Sequence, residues 1–229
     1  YAYVGDCVMG KFIGSQSIQF DKSVYILGAG SIVGKKEGDG PLGKYFDKIG
    51  QEDGLFGCRS WEEAESTLQK EALSIAVSKT GIAQDDLRLI YAGDLLAQTI
   101  ASSFGIMGFH RPVYGLYGAC ATMGEALSLA SMAVAGEFGE YVGAVTSSHF
   151  GSAEKEFRFP LGYGNQRPLS ATWTVTGSGA CILGTRRSHV RITGITTGKI
   201  VDFGLKDSLN MGSCMAPAAF STIEANLKD

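Results

Sequence analysis

Short apolar runs alternate along this chain with segments in which apolar residues recur every three or four positions. Four runs have the length and composition of buried β-strands: residues 23–28, 87–92, 113–117 and 141–147. Helical spacing predicts helices at 60–81, 95–104, 122–135 and after 207. Because strands and helices alternate, the pattern predicts an α/β fold whose sheet is largely parallel and covered by helices on both faces.

The helix that follows residue 60 has the clearest boundaries. Ser60 is a suitable N-cap, Glu62 and Glu63 place acids in the first turn, and Glu63 stands at the capping-box position. Gly81 is expected to end the helix.

Three segments depart from this alternation. Residues 1–10 form an irregular tail, and the glycines between Gly28 and Gly43 predict a long loop after the first strand. Late in the chain, residues 169–183 and 190–197 are predicted as strands joined by a short turn, in an antiparallel extension of the sheet.

The order of predicted elements late in the chain resembles the order at its beginning. Val190 to Gly194 is a strand followed by glycine, as Val24 to Gly28 is, and an apolar-periodic helix comes later in both cases. Either the chain is a duplicated α/β protein, with a first half at 1–188 and the beginning of a second half at 189–229, or the similarity of the two units is chance.

Composition and charge narrow the function classes. The 229 residues are 45% hydrophobic and 19% charged, with a net charge of −3 and no long basic run, which argues against nucleic-acid binding. No apolar stretch reaches the length of about 20 residues that a membrane span needs, and no signal peptide is apparent. The five cysteines are scattered and contain no CxxC pair, which argues against a zinc site and favours reduced thiols in the cytoplasm.

Cys120 is the main candidate for chemistry, in the stretch YGACATMGEAL. It follows a predicted strand and precedes a predicted helix, and its neighbours Ala119 and Ala121 are small enough to let a ligand come close. A helix N-terminus stabilises a thiolate and equally attracts a carboxylate. Three roles therefore stay open for Cys120: a nucleophile for acyl transfer, the wall of an anion-binding pocket, or a buried structural residue.

Other candidates follow from strand ends. His149 and Ser148 end the strand that begins near Tyr141, so His149 is a weak candidate for the base that a cysteine nucleophile needs. Asp94 ends another strand, where ligands gather in parallel sheets. Its carboxylate either contacts a ligand or a calcium ion, or caps the following helix.

Several motifs together resemble one family. They are Lys36-Glu-Gly-Asp-Gly-Pro-Leu-Gly43, Ala92-Gly-Asp-Leu-Leu96, Tyr117-Gly-Ala-Cys120, Thr146-Ser-Ser-His149 and Met211-Gly-Ser-Cys-Met-Ala-Pro-Ala218. In this order they resemble the stage V sporulation protein AD family of endospore-forming bacteria, from about residue 11 to the end. That family is similar to thiolases and ketoacyl synthases, which implies an αβαβα sandwich of two duplicated halves, of which this chain holds the first and the start of the second.

The resemblance also implies a function. The family is associated with dipicolinic acid, bound as such or as its calcium chelate, with its uptake into the forespore, and thereby with germination. It implies a cytoplasmic protein, peripheral to the spore inner membrane, that works with other proteins of its operon. No cofactor other than calcium is implied.

Two functions are therefore expected as alternatives. The first is a binding protein without turnover, whose ligand would meet Cys120, Ala119, Ala121, Asp94, Ser148 and His149. The second is an acyltransferase or condensing enzyme that uses Cys120, because the resemblance implies that Cys120 occupies the position of the superfamily's acyl-accepting cysteine. The resemblance further implies a homodimer formed through the edge strand near Val113.

Overall fold

The computed structural model describes residues 10–51, 54–96, 99–157, 174–206 and 210–229, and the side chains of 154–157 are not described. The strands are β1 (Gly10–Ile13), β2 (Ser17–Val33), β3 (Lys48–Ile49), β4 (Leu87–Asp94), β5 (Val113–Leu116), β6 (Tyr141–Ser148), β7 (Gly177–Gly184) and β8 (Val190–Thr196). The helices are α1 (Lys35–Gly38), α2 (Trp61–Ser78), α3 (Ile100–Ile106), α4 (Thr122–Ala135), α5 (Phe150–Phe157) and α6 (Met211–Lys228).

A mixed sheet organises the described residues. Six strands run in the order β1-β2-β7-β6-β4-β5, and β3 and β8 also pair with β2. The strands β5, β4 and β6 are parallel, as predicted. The late strands are antiparallel to their neighbours, but they pair with β2 and β6 and not with each other, and β7 is not an extension of the sheet. It lies between β2 and β6 and is antiparallel to both. Residues 169–173 of the first predicted strand lie outside the described residues.

The predicted loop from Gly28 to Gly43 is wrong at its start, because β2 continues to Val33. The physical reason is the close approach of α2. A Cβ on Gly28 would lie 2.5 Å from the carbonyl oxygen of Ala76, and one on Gly30 would lie 2.2 Å from that of Ala72. These glycines let a helix pack directly on a strand, and they do not mark a turn.

The predicted helix at 95–104 is also displaced, since α3 begins at Ile100. Thr99, just before it, has the left-handed φ of 53°, so the helix cannot extend backward through this residue. Part of the predicted segment, residues 97–98, lies outside the described residues.

The helix predicted after Ser60 is confirmed as α2. The Ser60 hydroxyl accepts a hydrogen bond from the backbone N–H of Glu63 at 3.1 Å, and the Glu63 carboxylate accepts one from the backbone N–H of Arg59 at 2.9 Å. The chain leaves the helix through Gly81, whose φ is +74°.

Helices cover both faces of the sheet, as predicted. On one face α2 packs on β2, β6 and β7 through a buried cluster that includes Leu68, Leu73 and Ile182. On the other face α4 packs on β4 and β6 through small residues, among them Ala126 and Ala130. The two faces are referred to below as the α2 face and the α4 face.

The segment from 189 onward contains a strand and a helix, as the pattern predicts. β8 pairs with β2, so the sheet continues across the predicted boundary between 188 and 189. None of the residues of α6 is buried. The irregular tail at 1–10 lies outside the described residues except for Gly10, which begins β1. In the described ranges no helix has both the length and the apolar character that crossing a membrane requires.

Candidate functional site

Cys120 lies where β5 passes into α4. A single 3₁₀ turn, Ala119–Ala121, joins Gly118 to the first residue of the helix. Ala119 has a φ of +46°, which is uncommon for a residue with a side chain and places Cys120 at a sharp bend. The Cys120 side chain is exposed and is a free thiol. Of the three roles left open by the sequence, a buried structural cysteine is therefore excluded.

Thr122 holds this bend in place. Its hydroxyl donates to the carbonyl oxygen of Ala119 at 2.7 Å and accepts from the backbone N–H of Gly118 at 3.1 Å. The Thr122 methyl also faces Gly93 of β4, where a Cβ would lie only 2.3 Å from it. The absence of a side chain at Gly93 therefore lets the start of α4 come down onto the sheet.

A cavity of about 350 Å³ opens beside Cys120. Its wall is made of strand ends on the α4 face, the first turn of α4 and the segment before β3. Its lining residues are Ser31, Val33, Phe46, Leu95, Ala119, Cys120, Thr122, Met123, Thr146, Ser147, Ser148, Val175, Gly177, Ser178 and Gly179. This size falls in the range of small-molecule pockets.

His149 does not line this cavity. It is fully buried against Trp61, to which its ring centroid is 6.4 Å, and Phe150, at 5.0 Å. Its Nδ1 accepts from the backbone N–H of Gly151 at 3.0 Å, so a neutral ring carries its proton on Nε2 and donates it to the carbonyl oxygen of Gly54, at 2.6 Å. Burial lowers the pKa of His149 below its ordinary value, an effect opposed by the Gly54 hydrogen bond. With both nitrogens occupied, the ring offers no lone pair to Cys120.

Asp94 also lies away from the cavity wall. The side chain is buried, and one of its oxygens accepts from the backbone N–H of Leu96 at 2.9 Å. The other accepts from both the backbone N–H, at 2.8 Å, and the hydroxyl of Ser102. This carboxylate therefore caps α3, which is one of the two roles that the sequence left open. Among the described residues no three His, Cys, Asp or Glu side chains cluster as metal ligands.

The structure thus brings together only some of the predicted site residues. Ala119, Cys120 and Ser148 line the cavity, whereas Ala121 is absent from the lining, as are Asp94 and His149. The assignment of these six residues to ligand binding stays a prediction.

A buried polar cluster on the α2 face was missed by the sequence analysis. Glu65 accepts from the hydroxyls of Ser147, at 2.8 Å, and Ser152, at 2.6 Å. Gln69, one turn further along α2, donates to the Ser147 hydroxyl at 2.9 Å and to the carbonyl oxygen of Gly93 at 2.8 Å. The sequence contains a signal for this cluster, because Glu65 and Gln69 are polar residues on the apolar face of α2. The cluster ties the ends of β4 and β6 to α2 and so fixes the strands that carry the cavity.

The fold first defines a class of protein. The structure of an OleA variant from Xanthomonas campestris aligns with 89% of this chain and with 72% of the OleA chain, with a TM-score of 0.54 and 13% sequence identity. A 3-oxoacyl-[acyl-carrier-protein] synthase III from Aquifex aeolicus VF5 matches 72% of this chain and 54% of its own, with a TM-score of 0.48 and 16% identity. The protein has a thiolase-like fold, as the sequence analysis expected.

The sequence comparison narrows the class to one family. The family model described as stage V sporulation protein AD matches residues 14–229. Stage V sporulation protein AD of Bacillus subtilis (strain 168) is 41% identical over 221 residues, which cover 96% of this chain. The chain belongs to the stage V sporulation protein AD family, so the resemblance found in the sequence is confirmed. It spans 64% of the length of the Bacillus subtilis protein.

Proposed function

We propose that this protein binds dipicolinic acid in the cavity beside Cys120, as the free acid or as its calcium chelate, and thereby supports uptake of the acid into the forespore. The observation that carries the proposal is the open cavity of about 350 Å³ at the start of α4. Membership of a sporulation family supports it.

The chemistry of the cavity suits a small flat diacid. A helix N-terminus carries a partial positive charge and backbone N–H groups that favour a carboxylate. Another wall includes Gly177 and Gly179, and among the described residues, apart from its chain neighbours, no atom lies within 4 Å of the place where a Cβ of Gly179 would be. A planar pyridine ring can therefore approach this wall closely. Cys120 then acts as a wall of the pocket.

Acyl transfer by Cys120 is less well supported. None of the described lining residues is a histidine, and both ring nitrogens of His149 are engaged elsewhere. A cysteine nucleophile needs a base or another means of thiolate stabilisation.

Calorimetry on the full-length protein tests the proposal. Dipicolinate is expected to release binding heat with and without calcium, and isophthalate, which lacks the ring nitrogen, is the ligand control. Cys120→Ala removes part of the wall and is expected to weaken binding by about 2- to 10-fold without abolishing it. Cys214→Ala, an exposed cysteine on α6, is the matched variant that leaves affinity unchanged. No binding heat in the wild type would rule the proposal out.

We also infer a homodimer that forms through β5, and a peripheral location at the spore inner membrane with other proteins of the same operon. Among the described strands β5 ends the sheet order, so no described strand pairs with its outer backbone groups. Val113 and Tyr114 on this strand are exposed, as is Phe104 on the neighbouring α3. An apolar edge of this kind favours pairing with a second copy.

A further inference from the structure

Hydroxyl groups are abundant in the cavity wall, but most of them are already used. Six lining residues carry a hydroxyl, and five of these groups donate to an acceptor of the protein. The donations are from Ser31 to the Asp47 carboxylate, Thr122 to the Ala119 carbonyl, Ser147 to the Glu65 carboxylate, Ser148 to the Val175 carbonyl and Ser178 to the Thr146 carbonyl. A hydroxyl has one proton, so these five have none left for a ligand.

Thr146 carries the sixth hydroxyl of the cavity wall. Within the described part of the chain its hydroxyl has no hydrogen-bond partner, and the residue is half-buried at the end of β6. Side chains alternate along a strand, so Thr146 lies on the same side of β6 as Val142 and Ala144. Those two residues pack in the cluster around α4, which places Thr146 on the α4 face with Cys120.

The neighbours of Thr146 leave it accessible. Its cross-strand partners are glycines on both sides, Gly93 on β4 and Gly179 on β7. Gly179 adds no side chain and faces open space in the cavity. A ligand atom can therefore reach the Thr146 hydroxyl from the cavity without displacing a side chain on β7.

We propose that the Thr146 hydroxyl donates a hydrogen bond to an acid group of the ligand and holds it beside Cys120. The inference deepens the proposed function and rests on it for the identity of the ligand. A carboxylate that leaves water needs donors in the site, and hydrogen bonds to charged groups are the strong ones. Of the hydroxyls that line the described cavity, that of Thr146 is available to donate a hydrogen bond to a ligand.

Three substitutions test this in the full-length protein. Thr146→Val removes the hydroxyl and keeps the shape, and it is expected to weaken dipicolinate binding about 10- to 100-fold. Thr146→Ser keeps the hydroxyl and is expected to restore affinity to within about threefold of the wild type. Thr222→Val makes the same chemical change on α6, away from the cavity, and leaves affinity unchanged. If Thr146→Val binds as tightly as the wild type, the inference is wrong and the proposed function stands.

A second measurement separates the two proposals if the wild type binds no dipicolinate. Iodoacetate and iodoacetamide both alkylate Cys120. The thiol loses its proton to water, the thiolate sulfur forms a bond to the methylene carbon, and the carbon–iodine bond breaks to release iodide. Only iodoacetate carries a carboxylate, so the ratio of their rates at Cys120, followed by mass spectrometry, reports acid binding beside the thiol. Thr146→Val is expected to lower this ratio at least about fivefold, and Thr146→Ser to restore it. An unchanged ratio overturns the inference, and wild-type protein that binds no dipicolinate overturns the proposed ligand alone.

Discussion

At the scale of single residues, His149 is a histidine whose surroundings disfavour its protonated form. Its ring is fully buried, and both of its nitrogens are bonded to backbone groups. Burial is the largest influence and lowers its pKa below 6.5, while the Gly54 hydrogen bond and the charges of Glu62 and Glu37 raise it in part. Such a residue contributes to the pH dependence of stability and offers no base to the cavity.

The consequence is a loss of stability in mild acid. In the unfolded chain a histidine titrates near its ordinary pKa of about 6.5, so below that pH the unfolded state binds a proton that the folded state does not. The free energy of unfolding therefore falls as pH drops from about 6.5 toward the folded pKa, by up to about 1.4 kcal/mol per pH unit. Urea unfolding at about pH 7.5 and 5.5 measures this slope.

A variant isolates the contribution of this residue. His149→Gln is expected to flatten the slope between the two pH values, even if its stability is lower at both. His110→Gln, which makes the same change at an exposed histidine, is the matched control variant. Parallel pH profiles for the wild type and His149→Gln would contradict the assignment.

At the scale of elements, the packing of α4 on the sheet depends on two glycines with opposite surroundings. Gly93 and Gly179 flank Thr146 on the neighbouring strands. A Cβ on Gly93 would lie 2.3 Å from the Thr122 methyl and 2.6 Å from the Leu116 carbonyl oxygen. A Cβ on Gly179 would meet no atom of the described residues within 4 Å beyond its chain neighbours. Gly93 is required because α4 packs closely on β4, and Gly179 leaves space in the cavity.

Alanine at each position should therefore have opposite effects. Gly93→Ala forces α4 away from β4 and is expected to lower the free energy of unfolding by about 1–3 kcal/mol or more. Gly179→Ala is expected to leave stability unchanged or to raise it by about 0.5–1 kcal/mol, because alanine loses less backbone entropy than glycine. Its methyl group enters the cavity and is expected to weaken dipicolinate binding about tenfold.

Chemical denaturation and calorimetry on both variants check this pair. A large loss of stability in Gly179→Ala would show that the space beside Thr146 is filled. Unchanged stability in Gly93→Ala would mean that α4 does not rest on β4 as described.

At the scale of the whole molecule, the described sheet has edge strands of different character, among them β5 and β1 at the two ends of the six-strand order. β5 leads directly into the Cys120 bend and is flanked by exposed apolar residues of α3, whereas β1 lies at the other edge. A charge on an edge strand discourages pairing with another chain. A charged substitution on β5 therefore tests the proposed dimer, and the same substitution on β1 is its control.

Sedimentation equilibrium on the full-length protein is the measurement. Val113→Lys, on β5, is expected to convert dimer to monomer, with unchanged far-ultraviolet circular dichroism. Phe12→Lys places the same charge on β1, where Phe12 is exposed, and is expected to leave the dimer intact. A wild-type monomer, or a Val113→Lys dimer as tight as the wild type, would contradict the proposal.

Much of this architecture could be predicted from the chain alone, where the determining interactions are local. The caps and apolar spacing of α2, the small-residue helix α4 and the bend at Cys120 depend on residues within a few positions of one another. Position along the strands also predicted that Ala119, Cys120 and Ser148 lie near one another, since strand ends of a parallel sheet share an edge.

What the sequence determined by itself is therefore a set of amphipathic elements, an α/β class and a cysteine at a helix start, and its motifs added the resemblance that implied a thiolase-like fold. Tertiary structure alone decided that Cys120 is exposed, that Gly28 and Gly30 continue a strand beneath α2, that β7 enters the middle of the sheet, and that the Thr146 hydroxyl has no acceptor among the described residues. The physical reason is that these features depend on contacts between segments far apart in the chain. The local spacing of residues does not determine which helix packs on a glycine or which carbonyl oxygen accepts a hydrogen bond from a hydroxyl.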